Sequence, residues 1–406
     1  MFTSIVRHYP VRSVFVRGVV VLRASQQVKL GVNLIVHPSA LTDASRVSKI
    51  AKSTQEGCGF SQTIAVGVKS RGLPDEEQIE PNVVIQRMRG SVGRNLFGRL
   101  NKTLVWQTAV FRRFQKENLA VVACHNVWAL PMCANLAAKT GAVFVYNTHE
   151  LETEAGSMNG VRKWIARALE RRFIRRAQIV SVVSGSIGEW YSDKYTIPIP
   201  VVIRNIPEIS FSMPSVRKRL DISNSEMLYA HTGNLVGGRS IPLILETFAK
   251  TPDAHVVFIG AGPLLDSVQR FSSTYANIHR VPPFHPSLLV QQMKDIDVGL
   301  CLIDTDGALS YRFSAPNKLF EALCAKTPVI SSELPEVRKI LGPLATGWIL
   351  SDPAAELLDT VKRLSKDSVS DFRSRFEGLP SWADEVKPLV AAYLEEIQKN
   401  GSVSKR

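Results

Sequence analysis

Ser314-Ala315-Pro316-Asn317-Lys318-Leu319-Phe320-Glu321-Ala322-Leu323-Cys324-Ala325-Lys326-Thr327-Pro328-Val329-Ile330-Ser331 reads as a loop, a short helix and a buried strand. Ser314 is placed to cap the helix and Pro316 to sit in its first turn. Leu319, Phe320 and Leu323 recur at helical spacing and face a sheet. Lys318 and Glu321, three apart, share another face near the helix start. Backbone N–H donors and the positive end of the helix dipole gather there, which suits an anion such as a diphosphate. A lysine adds charge to that end. A glutamate one turn in can accept hydrogen bonds from a sugar diol. The plainer alternative is a capped helix with a surface ion pair.

Around this stretch, strand-like and helix-like segments alternate almost from end to end. That predicts an α/β chain with parallel, doubly wound sheets. At 406 residues there is room for two domains of ordinary size. Apolar residues make up 45% and charged residues 21%, which argues against disorder. The five cysteines, Cys58, Cys124, Cys133, Cys301 and Cys324, are scattered, which fits neither a zinc site nor a disulfide framework. Cys124 and Cys301 fall in apolar strand-like runs and read as buried core residues. A reducing, cytoplasmic compartment is the expectation. No run reaches the roughly 20 apolar residues that span a bilayer.

The formal net charge of +14 predicts attraction to something anionic: nucleic acid, membrane or phosphorylated substrate. Residues 87–116 interleave Arg87, Arg94, Arg112 and Arg113 with Leu96, Leu104, Trp106 and Phe111. Residues 162–176 interleave seven basic residues with Trp164, Ile165, Leu169, Phe173 and Ile174. Each apolar stripe is expected to pack on a sheet. The concentration of charge favours an anionic membrane surface. No nucleic-acid-binding module accompanies it. Residues 1–27 carry Arg7, Arg12, Arg17 and Arg23 and make a poor signal peptide, since Arg17 interrupts the apolar part. A membrane-touching arm, an irregular tail and residues upstream of the true start all remain open.

Ligands in doubly wound folds sit at the carboxyl ends of strands. Val32 to Val36 is the first strand, so His37 to Thr42 lies where an acceptor enters. The strand from Leu119 ends at His125, and the strand from Val143 ends at His149-Glu150. Two histidines at successive strand ends point to a cleft, where an imidazole can hydrogen-bond a sugar hydroxyl. Asn205, after Val201 to Ile203, is either a cleft residue or a turn residue. Leu228 to Thr232 runs into Gly233-Asn234-Leu235-Val236-Gly237-Gly238-Arg239, whose glycines admit a phosphate and whose arginine can pair with it. His255 to Ile259 runs into Gly260-Ala261-Gly262-Pro263. With no full dinucleotide fingerprint, a nicotinamide cofactor is not expected. Asp304-Thr305-Asp306 reads as a loop. No metal site is expected.

Pro316-Asn317-Lys318-Leu319-Phe320-Glu321 followed by Pro328-Val329-Ile330 resembles the signature of family-4 retaining glycosyltransferases. The resemblance runs over roughly residues 30–395 and is most specific in 228–350. It implies the GT-B fold: two Rossmann-like domains facing a cleft, with a C-terminal helix crossing back to the first. The expected division is a basic arm (1–27), an acceptor domain (28–207), a linker (208–224), a nucleotide-sugar domain (225–380), and the crossover helix and tail (381–406). In the family the Glu at 321 binds the ribose and the Lys at 318 the phosphates. Arg239 matches one member of a basic pair that clamps the diphosphate, and Asn234 stands where the other is usually Arg or Lys. Gly260, Gly262 and Pro263 match a Gly-x-Gly-Pro turn. His125 matches a histidine beside the reacting sugar. His149 and Glu150 match a Tyr-Asp-x-His-Glu strand end in which Asn147 replaces the Asp. Many members carry a second Glu eight positions before 321, where this chain has Phe313.

The implied activity is metal-independent, retaining transfer of a hexose from a nucleoside-diphosphate sugar, UDP favoured. The acceptor would be a glycan or a lipid-diphosphate-linked acceptor, in polysaccharide assembly at the cytoplasmic face of a membrane. The expected site has His125, Arg239 and Lys318 as catalytic residues. His149, Glu150, Asn205, Gly233, Asn234, Gly260, Gly262, Pro263, Ser314, Asn317 and Glu321 bind substrates. Two rivals stay open: a GT-B nucleotide-sugar epimerase, and a non-catalytic binding subunit, the latter kept in view by Phe313 and Asn234.

Overall fold

A computed structural model describes residues 30–42, 44–89, 96–208 and 215–403 of the chain. The basic arm, Arg94, residues 209–214 of the linker and the last three residues lie outside the described residues. So do the side chains of Leu96 to Lys102. The first domain is an eight-stranded sheet ordered β3-β4-β2-β1-β5-β6-β7-β8. Its strands are β1 (Val32–Val36), β2 (Thr63–Val68), β3 (Glu76–Glu80), β4 (Val83–Met88), β5 (Leu119–Cys124), β6 (Val143–Asn147), β7 (Ile179–Val182) and β8 (Val201–Val202). The second is a six-stranded sheet ordered β11-β10-β9-β12-β13-β14. It contains β9 (Met227–Thr232), β10 (Ala254–Ile259), β11 (Ile278–Val281), β12 (Val298–Cys301), β13 (Val329–Ser332) and β14 (Ile349–Leu350). All pairs are parallel except β3 with β4.

Apolar runs such as Val121 to Cys124 and Val256 to Ile259 are fully buried, as strands covered on both faces must be. On one face of the first sheet lie α1 (Ser45–Cys58) and the crossover helix Lys387–Val403, packed on β1, β5 and β6. The other face carries α2 (Leu96–Phe114), α3 (Leu130–Thr140), α4 (Gly160–Phe173) and α5 (Gly185–Tyr195). Leu389 and Tyr393 of the crossover helix have no solvent exposure and belong to the first domain's core.

The two chain crossings between domains are tied together. Arg204 donates to Glu385 through its backbone N–H, Nε and Nη2, at 2.8–2.9 Å. From α1, Arg46 donates to the Ile203 carbonyl at 2.7 Å and Lys49 to the Ile206 carbonyl at 2.6 Å. Across the opposite lip, Glu336 accepts from the Ser186 N–H and hydroxyl, both at 2.7 Å, at the start of α5.

Several local expectations change. The 314–331 helix runs Asn317–Cys324 with Pro316 as its N-cap, and no side chain caps it. Ser314 instead donates to the Tyr311 carbonyl at 2.7 Å. Pro316 is itself extended rather than helical, so the helix starts two residues later than a Ser314 cap would give. Phe320 turns from the sheet to Ile206 and Ala315, where the domains meet. Arg87 is in β4, buried, donating to the Ala40 carbonyl and to Glu77, and belongs to no amphipathic helix. The strand after β7 stops at Val202. The last helix breaks at Val386 because Pro388 cannot donate back to the preceding turn. The Asp304–Asp306 segment is a loop, as expected.

Candidate active site

The uncapped start of the Asn317–Cys324 helix faces the cleft, at the carboxyl edge of β9 and β12. Lys318 lies with its Nζ 3.3 Å from Nε2 and 3.4 Å from Nδ1 of His231. Burial holds that imidazole well below its usual value, with Lys318 and Arg239 adding to the effect, so it is neutral. Lys318 itself is lowered to about 8, chiefly by burial. Glu321 accepts from the Thr232 hydroxyl at 3.1 Å, and burial raises its carboxyl above the ordinary value. No ion pair joins Lys318 to Glu321 among the described residues. Both face the same recess, which excludes the surface-pair alternative.

That recess, about 650 Å³, is within the usual range for small-molecule sites. Gly233, Asn234, Arg239 and Gly260 line one wall, and Ser314, Asn317, Lys318 and Glu321 another. His149 and Glu150 reach it from the first domain. Arg239 lies over the Tyr311 ring, 5.0 Å from its centroid. Glu150 accepts from the Ser310 hydroxyl at 3.1 Å; its carboxyl is raised by burial, against the pull of Ser310 and Arg239. Gly262 and Pro263 do not line the recess. A Cβ on Gly260 would meet the Gly233 carbonyl oxygen at 1.9 Å, and one on Gly262 the Leu235 oxygen at 2.5 Å. These glycines let the two strand-end loops stack backbone on backbone. Phe313 turns away to pack on the first domain's core, and its carbonyl accepts from Ser184 at 2.9 Å.

On the first-domain side the histidines form a chain. The Asn147 amide nitrogen lies 2.9 Å from His125 Nε2, and His125 Nδ1 lies 2.9 Å from His149 Nε2. Asn147 Oδ1 accepts from Ser181, so its amide nitrogen donates. His125 therefore carries its proton on Nδ1 and donates it in a hydrogen bond to His149 Nε2, which leaves the proton of His149 on its Nδ1. Burial lowers both imidazoles well below their usual value, with Arg46 and His37 adding repulsion. His125 is only 1% exposed and is joined to the cleft by its bond to His149; His149 is the one that lines the cleft. His37 stacks on His149 at 5.5 Å and bonds Ser39 at 2.7 Å. Among the described residues no His/Cys/Asp/Glu group has the arrangement of a metal site.

A second recess lies between His37, Arg46, Asn205 and Asn317. The Asn205 amide donates to Asn317 Oδ1 at 3.0 Å across the domain boundary. Arg46 is buried there with Nε and Nη2 lacking partners among the described residues. A larger groove, about 1200 Å³, lies behind the hinge, away from Arg239 and Lys318, and follows from the two crossings. Sequence reading assigned no role to His231, Thr232, Ser310, Tyr311 or Arg46. The position of His231-Thr232 at a strand end before a Gly-rich loop was the available signal.

Residues 44–205 match the glycosyl transferase 4-like domain, and residues 229–367 match glycosyl transferases group 1. The chain belongs to the GT4-like glycosyltransferases. No curated protein sequence matches it. Its fold is similar to that of sucrose-phosphate synthase from Thermosynechococcus elongatus, with TM-score 0.74 at 15% identity, covering 91% of this chain and 100% of that one. HepE from Anabaena, in complex with UDP-glucose, gives 0.60 at 12% identity, covering 92% and 100%. The lipopolysaccharide outer core galactosyltransferase WaaB, in its apo form, gives 0.60 at 14%, covering 90% and 99%. The GT-B fold of this glycosyltransferase, with its crossover helix, is thus the fold of its structural neighbours.

Proposed function

We propose that this glycosyltransferase moves a hexose from a nucleoside-diphosphate sugar to a glycan or lipid-diphosphate-linked acceptor, retaining anomeric configuration and using no metal or other cofactor. The observation that carries the reading is the recess in which Lys318, Glu321 and Arg239 meet His149 and Glu150. Glu321, braced by Thr232, is set to accept from a ribose diol. The uncapped Asn317–Cys324 helix start, Lys318 and Arg239 stabilise the departing diphosphate. Lys318 and Arg239 supply the positive charge a divalent cation would otherwise bring. His149, its tautomer fixed through His125 and Asn147, presents its remaining face to a sugar hydroxyl. The structural neighbour HepE is in complex with UDP-glucose, which supports UDP as the nucleotide.

In the retaining step the acceptor oxygen bonds the anomeric carbon as its bond to the diphosphate breaks. The leaving phosphate takes the acceptor's proton on the same face. Closure of the two domains over the substrates would exclude water and limit hydrolysis. We place the enzyme at the cytoplasmic face of a membrane, in polysaccharide assembly. Among the described residues no helix is long and apolar enough to cross a membrane. Proton NMR of reactions with UDP-, GDP-, TDP- and ADP-sugars and glycan acceptors, in excess EDTA, tests this. An α-donor should first give an α-product. A β-product, or arrest by EDTA, contradicts it. Donor epimerised without acceptor favours the epimerase rival, and binding without turnover the binding subunit.

A further inference from the structure

Among the described residues, five of the seven exposed large apolar side chains, namely Leu104, Val105, Val161, Trp164 and Ile165, fall on just two helices. On α4, Val161, Trp164, Ile165 and Ala168 follow helical spacing, so they form one stripe. That stripe faces outward: Val161 is 74% exposed and Trp164 71%, while Ala166 and Glu170 hold the inner face. The same outward face carries Arg171 and Arg172 one turn further on, both exposed. Helix α2 joins this surface through Trp128. Gln107 donates to the Trp128 carbonyl at 3.0 Å, and Arg162 lies over the Trp128 ring at 5.5 Å. Leu104, 61% exposed, is one turn from Gln107.

The charge here has a single sign. The acid on α4, Glu170, is buried among three tyrosine hydroxyls. Nearby Glu154 is neutralised by Lys163 at 2.8 Å and Arg167 at 2.7 Å. Resting on the glycosyl-transfer reading above, we infer that the α2–α4 face lies on an anionic lipid bilayer. Trp164, Val161, Ile165 and Leu104 enter the headgroup boundary, and Arg171 and Arg172 meet lipid phosphates. A second copy of this chain would bring like charge against like. The surface also adjoins the cleft. The segment leading into α4 passes Gly156, where a Cβ would lie 3.6 Å from the Tyr311 hydroxyl, and Tyr311 supports Arg239. An acceptor held in the bilayer is thereby presented beside the donor recess.

Flotation of the full chain with vesicles of phosphatidylcholine, with and without phosphatidylglycerol, tests this. Wild type should float with the anionic vesicles and not the neutral ones. Trp164→Ser/Ile165→Ser should lower the bound fraction about tenfold. Arg171→Gln/Arg172→Gln should remove the preference for anionic lipid. Each variant should keep the wild-type melting temperature and its nucleotide-induced rise, which excludes misfolding. Absence of wild-type flotation, equal flotation on neutral vesicles, or variants that float like wild type would overturn the inference. A concentration-dependent dimer abolished by Trp164→Ser would also overturn it, assigning the face to a second copy. Intact flotation without any nucleotide-induced rise would instead count against the glycosyl-transfer reading.

Discussion

Lys318 is the residue whose chemistry is most altered by its place. With its pKa lowered to about 8, it is only partly charged in mildly alkaline solution. A bound diphosphate stabilises the charged form, so binding above about pH 8 takes up a proton. Nucleotide affinity should be level below about pH 7 and fall as pH rises past 8. Lys318→Met should weaken binding and flatten that fall, as read by calorimetry in buffers of different ionisation enthalpy. The sign for stability is opposite. Lys318 and Lys49, the latter also lowered to about 8, bind fewer protons folded than unfolded, so their contribution to the ligand-free protein's stability increases from pH 8 to about 10.4. His125 shows a different kind of role. Asn147→Ala removes the donor that fixes its tautomer. Transfer should slow about tenfold, the order of one misplaced hydrogen bond, with nucleotide affinity unchanged. Lys318, Glu321 and Arg239 were legible in sequence because their motifs are local. The His125–His149 contact was not, since parallel pairing of β5 with β6 creates it across 24 residues.

At the scale of elements, the register of β9, β12 and β13 carries His231, Thr232 and the Asn317–Cys324 helix to one sheet edge. Repeated apolar runs made these strands legible. The antiparallel β3 was not, because Glu76-Glu77-Gln78-Ile79-Glu80 is an exposed edge with little apolar pattern. Helix α4 misled in part: Phe173 and the Ile174 that follows it pack on the first-domain core as expected, yet Trp164 and Ile165 face outward because the buried positions between and beyond them are Ala166 and Glu170. Glu336 ties the α5 start to the second domain. Glu336→Ala loses two bonds to a charged acceptor, about 3–6 kcal/mol, and should shift the domains toward an open form. A larger radius of gyration by small-angle scattering and weaker nucleotide binding are the expected results. The exposed Lys339–Glu189 pair should contribute under about 1 kcal/mol.

For the whole molecule, the crossover helix makes the first domain's core depend on the last residues of the chain. Leu389→Ala should cost about 2–5 kcal/mol and lower the melting temperature, although Leu389 lies outside the first-domain sequence. The two alternating blocks and the polar segment between them made a two-domain architecture readable. The hinge was not readable, since Arg46, Lys49 and Arg204 act through backbone carbonyls and a carboxylate distant in sequence. The central claim is that the second domain holds a nucleotide through Glu321 at the helix start and Arg239 in the facing loop. The most direct test is the melting temperature of wild type and Glu321→Ala with UDP, GDP, TDP and ADP. One nucleotide, UDP by this account, should raise the wild-type value, and Glu321→Ala should remove most of that rise by weakening binding about a hundredfold. No rise with any nucleotide, or an equal rise in Glu321→Ala, would contradict the account.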